Sequence, residues 1–206
     1  METPGRQFER LLAGEGFSAG EIALLSRYFQ MVLKWNTRLH LTTITEPRDF
    51  LTRHVLESAL LARQIAPEVR EVWDLGSGLG IPGVVVAILR PDLTVFLVEA
   101  SKKKALFLDE VAASLPLPNL RVRAERIESL APLPEAACLT ARAVEEMERL
   151  LPKMVDLASG ARQLLLLGGD RVADGLDAAL PPGQPVERTL LPGSSRRFLL
   201  SAIRST

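Results

Sequence analysis

The sequence is poor in cysteine: Cys138 is alone among 206 residues. That excludes an internal disulfide framework and suits a reducing compartment. Its neighbours Ala136, Ala137 and Leu139 make it a small buried hydrophobe rather than a reactive thiol. No apolar run approaches the roughly 18–20 residues that span a bilayer, and Met1, Glu2, Thr3, Pro4, Gly5 and Arg6 contain no apolar signal region. The expected location is therefore the cytoplasm, with no membrane partner. The two histidines, His40 and His54, and the one cysteine form no metal-ligand spacing, so no metal is expected. Net charge is also lacking. With 25 Lys and Arg against 25 Asp and Glu, the balance neither demands nor excludes a nucleic-acid partner, because a local basic face can coexist with a neutral total. Internal repeats and low-complexity tracts are absent.

What is present fits one domain, 47% hydrophobic and 24% charged, long enough to bury a sizeable core. Two textures divide it. From Ser18 to about Ile65 the pattern is helical. Ser18 and Glu21 form a capping box, and Ile22, Leu25, Phe29, Val32 and Leu33 recur on one helical face. Pro47 permits a second start, with Phe50, Leu51, Val55, Leu56, Ala59, Leu60 and Ala62 as its stripe. Residues 1–66 thus read as a helical extension and 67–206 as the core of one compact unit, expected to be a monomer.

From Val72 onward short apolar runs alternate with helical stretches. Strands are predicted at 72–75, 95–98, 121–123, 137–141 and 163–167, and helices at 82–89, 102–115 and 145–157. Residues 186–191 and 197–203 read as a closing pair of strands, and Pro181, Pro182 and Gly183 as a loop. The alternation predicts an α/β fold: a Rossmann-like, mainly parallel sheet with an antiparallel edge and helices on both faces.

The strongest local signal is Asp74-x-Gly76-x-Gly78-x-Gly80, between a predicted strand and the helix that Pro82 opens. Glycines there let the backbone turn sharply and approach a ligand, while helix N-terminal N–H groups face it. Glu99 closes the second strand, where a carboxylate accepts the hydroxyls of a ribose. Counted from Gly76 the spacing is G-x-G-x-G, with Ile81 where the dinucleotide fingerprint would place its third glycine. An acidic Asp74 before the first glycine suits a ligand bearing positive charge better than a pyrophosphate, the alternative being a carboxylate that only orders the loop. S-adenosylmethionine, with a sulfonium, an α-ammonium and no phosphate, fits these requirements. Ser77 sits within the same loop.

Further motifs accompany this loop in a definite order: Trp35 and Asn36 with Leu41 and Thr42; Arg53 and His54 with Leu56, Glu57 and Ser58; residues 74–83; and Thr140, Ala141, Arg142 and Ala143. Together they resemble the RsmG (GidB) family of bacterial 16S ribosomal RNA methyltransferases, from about Tyr28 to Gly169 and more loosely beyond. The resemblance implies methyl transfer from S-adenosylmethionine to N7 of a guanosine in small-subunit ribosomal RNA, making that RNA or subunit the partner. It implies that Gly76 and Ile81 line the cofactor with Ile127, Glu128 and Arg142, and that Glu99 holds the ribose; Gly78 joins them as a cofactor candidate from the loop itself. The chain departs from the family at His40, where Asn is usual, at Glu57 and Glu99, where Asp is usual, and at Gly168, where a lysine is common.

Guanine N7 carries an in-plane lone pair and no proton. Its methylation needs placement and electrostatics rather than a general base, so no catalytic residue is assigned, with Arg142 the candidate positioner at the sheet's carboxyl edge. Lys34, Arg38, Arg48, Arg53, Lys102, Lys103, Lys104, Arg121, Arg123, Arg126, Arg196 and Arg197 are candidate phosphate contacts, many of them equally solvated helix faces. His54 reads as a structural histidine hydrogen-bonded across helices. Trp35 reads as an anchor of the N-terminal helices to the sheet. Three alternatives stay open: a small-molecule or protein methyltransferase, a dinucleotide-dependent oxidoreductase, and a non-catalytic RNA-binding module.

Overall fold

The computed structural model describes residues 2–144 and 146–203. The chain begins with a helix that the sequence reading left out. In α1 (Pro4–Ala13), Pro4 occupies the first turn and the Thr3 hydroxyl accepts the Arg6 N–H, a start that needs no long apolar run. Phe8 and Leu12, one turn apart, are its buried face. The α2 helix (Ala19–Leu39) has the expected capping box, with Ser18 N–H donating to Glu21 at 2.7 Å and Glu21 N–H donating to the Ser18 hydroxyl at 3.3 Å. It stops at His40, whose φ of 47° is left-handed; Asn, Asp and His tolerate that region better than other side chains.

The second predicted helix is broken into three. A short α3 (Pro47–Phe50) runs into a π-helical turn, Leu51–Leu56, and then α4 (Glu57–Gln64). The wider turn shifts the stripe: Phe50, Leu51, Val55, Ala59 and Ala62 are buried as expected, but Leu61 is fully buried in place of Leu60.

Seven strands form one sheet: β1 (Glu71–Leu75), β2 (Thr94–Val98), β3 (Leu120–Arg123), β4 (Ala137–Arg142), β5 (Gln163–Gly169), β6 (Glu187–Leu190) and β7 (Arg197–Ile203). Their order is β3-β2-β1-β4-β5-β7-β6. The first five are parallel, and β7 is antiparallel to both of its neighbours. Between them lie α5 (Gly83–Leu89), α6 (Lys102–Ser114), α7 (Met147–Leu157) and α8 (Asp170–Ala179). The first residue of the helix expected over 145–157 is outside the described residues, and α8 was missing from the sequence reading. Leu176 and Ala173 are its buried side; so few apolar residues, with Gly175 among them, give a faint periodic signal.

Alternation along the strands sends side chains to two cores. Val72, Val95 and Leu97 join Phe8, Tyr28, Phe29 and Phe50 on the face covered by α1–α6. Trp73, Leu75, Leu139 and Leu166 join Met154 and Leu176 on the face covered by α7 and α8. The N-terminal helices therefore share a core with the sheet. Trp35 packs against this shared core, with its ring 5.8 Å from that of Phe107 in α6.

Candidate functional site

The parallel strands β1, β2, β3 and β4 deliver their carboxyl ends to one edge of the sheet, where open α/β sheets bind ligands. A cleft of about 720 Å³ opens there, and its lining includes Gly76, Ser77, Gly78, Ile81, Glu99, Ile127, Glu128 and Arg142. Eight of the nine sequence-predicted site residues thus meet in one cavity. Asp74 is the exception.

Asp74 is fully buried at the end of β1. One carboxylate oxygen accepts the Gly83 N–H at 3.1 Å, and the Ser77 hydroxyl donates to the Asp74 backbone carbonyl at 2.7 Å. It ties the loop to the first turn of α5 from beneath. Burial raises its pKa from the ordinary 3.8 to about 7, opposed by the hydrogen bonds from Gly83 and Ser77. Gly83 also answers the missing third glycine. A Cβ there would lie 2.3 Å from Leu97 Cδ2 and 2.8 Å from the Asp74 carboxylate. Gly83 stands three residues after Gly80, so Gly78-x-Gly80-x-x-Gly83 does hold a third glycine, at the point of close helix–strand packing.

Gly76 turns the chain with φ of 66°, and a Cβ there would meet Val144 at 2.8 Å. Side-chain freedom at this point is nil, which leaves bare backbone facing the cleft. Glu99, 7% exposed, accepts the Gly78 N–H at 2.8 Å and the Ser101 N–H at 2.7 Å, one on each oxygen. A carboxylate has about four acceptor sites, so both oxygens keep capacity for ligand hydroxyls while the backbone fixes their direction. The sequence reading missed Tyr28, the only tyrosine in the chain, which donates its hydroxyl to the Leu79 carbonyl at 2.6 Å. That bond fastens α2 to the glycine loop, and nothing in local spacing could have shown it.

The opposite wall is built from side chains. Arg142, at the end of β4, donates to the Arg53 carbonyl, lies 3.1 Å from His54 Nδ1 and 3.4 Å from Glu57 Oε2. Glu57, wholly buried, also receives Arg197 and stands 3.9 Å from Arg53. Desolvation lowers the Arg142 pKa, countered by the Glu57 charge. A second groove of about 350 Å³ adjoins this corner, lined by Arg53, Glu57, Arg142, Gly168, Val172 and Arg197 among others. Gly168 is held small by its neighbour: a Cβ there would lie 2.6 Å from Val172 Cβ.

The other basic candidates scatter. Lys104, Arg126 and Arg53 reach the cleft. Arg121 turns back onto the carbonyls of Pro118 and Leu120, and Arg123 lies over the stacked rings of Trp73 and Phe96. His40 is exposed at the end of α2. Among the described residues no three His, Cys, Asp or Glu side chains converge as for a metal ion, and no helix is long and apolar enough to cross a membrane.

Five parallel strands, a closing antiparallel strand, a glycine loop after β1 and a carboxylate after β2 together define a class I, S-adenosylmethionine-dependent methyltransferase. An S-adenosylmethionine-dependent methyltransferase from Aquifex aeolicus has the same fold, with a TM-score of 0.56 and 15% identity over 75% of this chain and 92% of that one. The family model of rRNA small subunit methyltransferase G (GidB) matches residues 21–180, and the chain belongs to that family. It is similar to ribosomal RNA small subunit methyltransferase G of Sorangium cellulosum, 40% identical over 86% of this chain and 77% of the relative. It is 37% identical to the Xanthomonas axonopodis protein of that name, over 86% and 82% respectively.

Proposed function

We propose that this chain transfers a methyl group from S-adenosylmethionine to N7 of a guanosine in 16S ribosomal RNA, acting as a cytoplasmic monomer. The observation that carries the reading is the cleft itself. The family's glycine loop, Glu99 and Arg142, far apart in sequence, line one cavity of about 720 Å³, and the family model spans most of the chain. In this reading residues 1–66 are a helical extension on a methyltransferase core of 67–206.

The fit to the methyl donor rests on particular atoms. Gly76 and Gly78 offer backbone in place of side chain, and the Glu99 carboxylate, held by two N–H groups, accepts ribose hydroxyls. Ile81 and Ile127 supply apolar walls for the adenine, with Glu128 beside them. Asp74 acts from below by keeping the loop on α5. The donor supplies an activated methyl group on a sulfonium. The chain then orients the acceptor. N7 has a free lone pair, so alignment behind the methyl group is the main requirement. Arg142, fixed by three partners, stands where the base must enter. Because N7 lies on an edge closed off in an RNA helix, the target must be splayed from a loop.

The test is incubation of small ribosomal subunits, and of their naked RNA, with methyl-labelled S-adenosylmethionine, followed by mapping of the methylated nucleotide. Incorporation at a single guanosine N7 is expected. Label in neither substrate, or at another atom, would overturn the reading.

A further inference from the structure

We propose that His54 is a positioning residue that holds Arg142 in its place in the cleft through a neutral imidazole bonded at both nitrogens. The inference rests on the proposed role of Arg142 at the acceptor end of the cleft. His54 lies in the π-helical turn Leu51–Leu56, 4% exposed, and turns of this kind recur at functional sites because they re-aim a side chain out of the regular ladder. Its Nδ1 is 3.1 Å from Arg142 Nη1. A guanidinium can only donate, so Nδ1 must carry no proton, and the ring's hydrogen sits on Nε2.

Nε2 in turn lies 3.2 Å from the Thr42 hydroxyl oxygen, which receives that hydrogen. Thr42 is itself immobilised. Its hydroxyl accepts the Ile44 N–H at 3.0 Å, and the Asn36 amide bonds its backbone N–H and carbonyl, both at 2.9 Å. The ring of Phe50 meets the imidazole edge-on at 4.7 Å. Burial, with the Arg142 charge next, pushes the His54 pKa down to about 3, in keeping with the neutral form that the hydrogen bonds require.

The chain of contacts runs from Asn36 at the end of α2 through Thr42 and His54 to Arg142. Thr42, His54 and Arg142 all line the same cleft. This accounts for motif residues that the donor site leaves without a task. It also separates His54 from a histidine that merely fills a core, since its acceptor nitrogen is spent on Arg142, which lines the cleft.

The test combines three variants with three readouts. Replacing His54 by Leu removes both bonds, His54→Asn keeps an acceptor near the Nδ1 position, and Thr42→Val removes the far partner. In methyl transfer to small subunits, His54→Leu is expected to lower kcat at least tenfold while S-adenosylmethionine affinity, by calorimetry, stays within threefold. The Asn variant should recover part of that loss, and Thr42→Val should lose a few fold. Guanidinium NMR signals of Arg142 should show restricted rotation in the wild type and free rotation in His54→Leu.

Unchanged kcat in His54→Leu or, should that variant fail to fold, in Thr42→Val, would overturn the proposal. So would an Arg142 signal indifferent to both. Wild-type protein that methylates no ribosomal RNA would instead overturn the functional reading, and the Arg142 signal would still decide the role of His54.

Discussion

The two walls of the cleft are held by different means. On the glycine-loop side, Asp74 and Glu99 are bonded to backbone N–H groups of Gly83, Gly78 and Ser101, all within 21 residues of their partners. On the Arg142 side, Glu57, His54, Arg142 and Arg197 meet mainly through side chains, with Arg142 also reaching the Arg53 carbonyl, across up to 140 residues of sequence. The first wall is a local motif whose geometry follows from glycine positions. The second exists only once β4, β7 and the N-terminal helices have assembled. A backbone-held wall is rigid and tolerant of isosteric change. A wall of coupled charges fails as a unit.

The sharpest way to break this contrast is to neutralise Glu57. Glu57→Gln leaves the guanidinium groups of Arg53, Arg142 and Arg197 without their carboxylate. Removing one partner of a buried pair costs several kcal/mol, trimmed here because Arg53 and Arg197 reach solvent. A loss of about 3 kcal/mol of unfolding free energy is expected in denaturant titration, and a loss below about 0.5 kcal/mol would remove the distinction between the walls.

Asp74 should respond in the opposite sense. Its folded pKa of about 7 lies above the ordinary 3.8, so between those values the folded state keeps a proton that the unfolded chain has released. The stability contributed by this site is full below pH 4 and is lost as pH rises through 7. Relative to Asp74→Asn, which keeps an acceptor for Gly83, the wild type should lose about 3 kcal/mol at the most between pH 4 and 7. A constant difference across that window would contradict the assignment.

Gly76→Ala comes next. It places a side chain against Val144 at a positive φ, so S-adenosylmethionine affinity should fall about a hundredfold, beyond a stability loss of about 1–2 kcal/mol from the strained backbone. Retained affinity would show that the loop can carry a side chain. The smallest effect is on the adjoining groove. Gly168→Ala crowds Val172 and should cost about 1 kcal/mol, recovered when Val172→Ala is added; without recovery, the groove is not shaped by that contact.

Much of this was legible in the sequence, and the reason lies in range. Asp74, Gly76, Gly78 and Glu99 belong to strand–loop units with their own period and spacing, and β2, β4 and β5 each carry an apolar run, whereas β3 is Leu-Arg-Val-Arg. Arg142 could be singled out as the residue after a buried strand. The Tyr28–Leu79 bond and the convergence of Glu57 with Arg197 could not, since neither leaves a mark in local spacing. The π-helical turn was hidden because most of the expected stripe is still buried, with only Leu56 and Leu60 partly exposed and Leu61 buried instead. Helix α1 was missed for its two-residue buried face, and α8 for a similar reason.

The most direct test of the account is a crystal structure with S-adenosylhomocysteine bound. The account predicts the ribose on Glu99, the chain of the ligand along Gly76 and Gly78, and its sulfur turned toward Arg142. A ligand seated instead in the groove between Gly168 and Arg197, with Glu99 bonded only to its backbone partners, would contradict it.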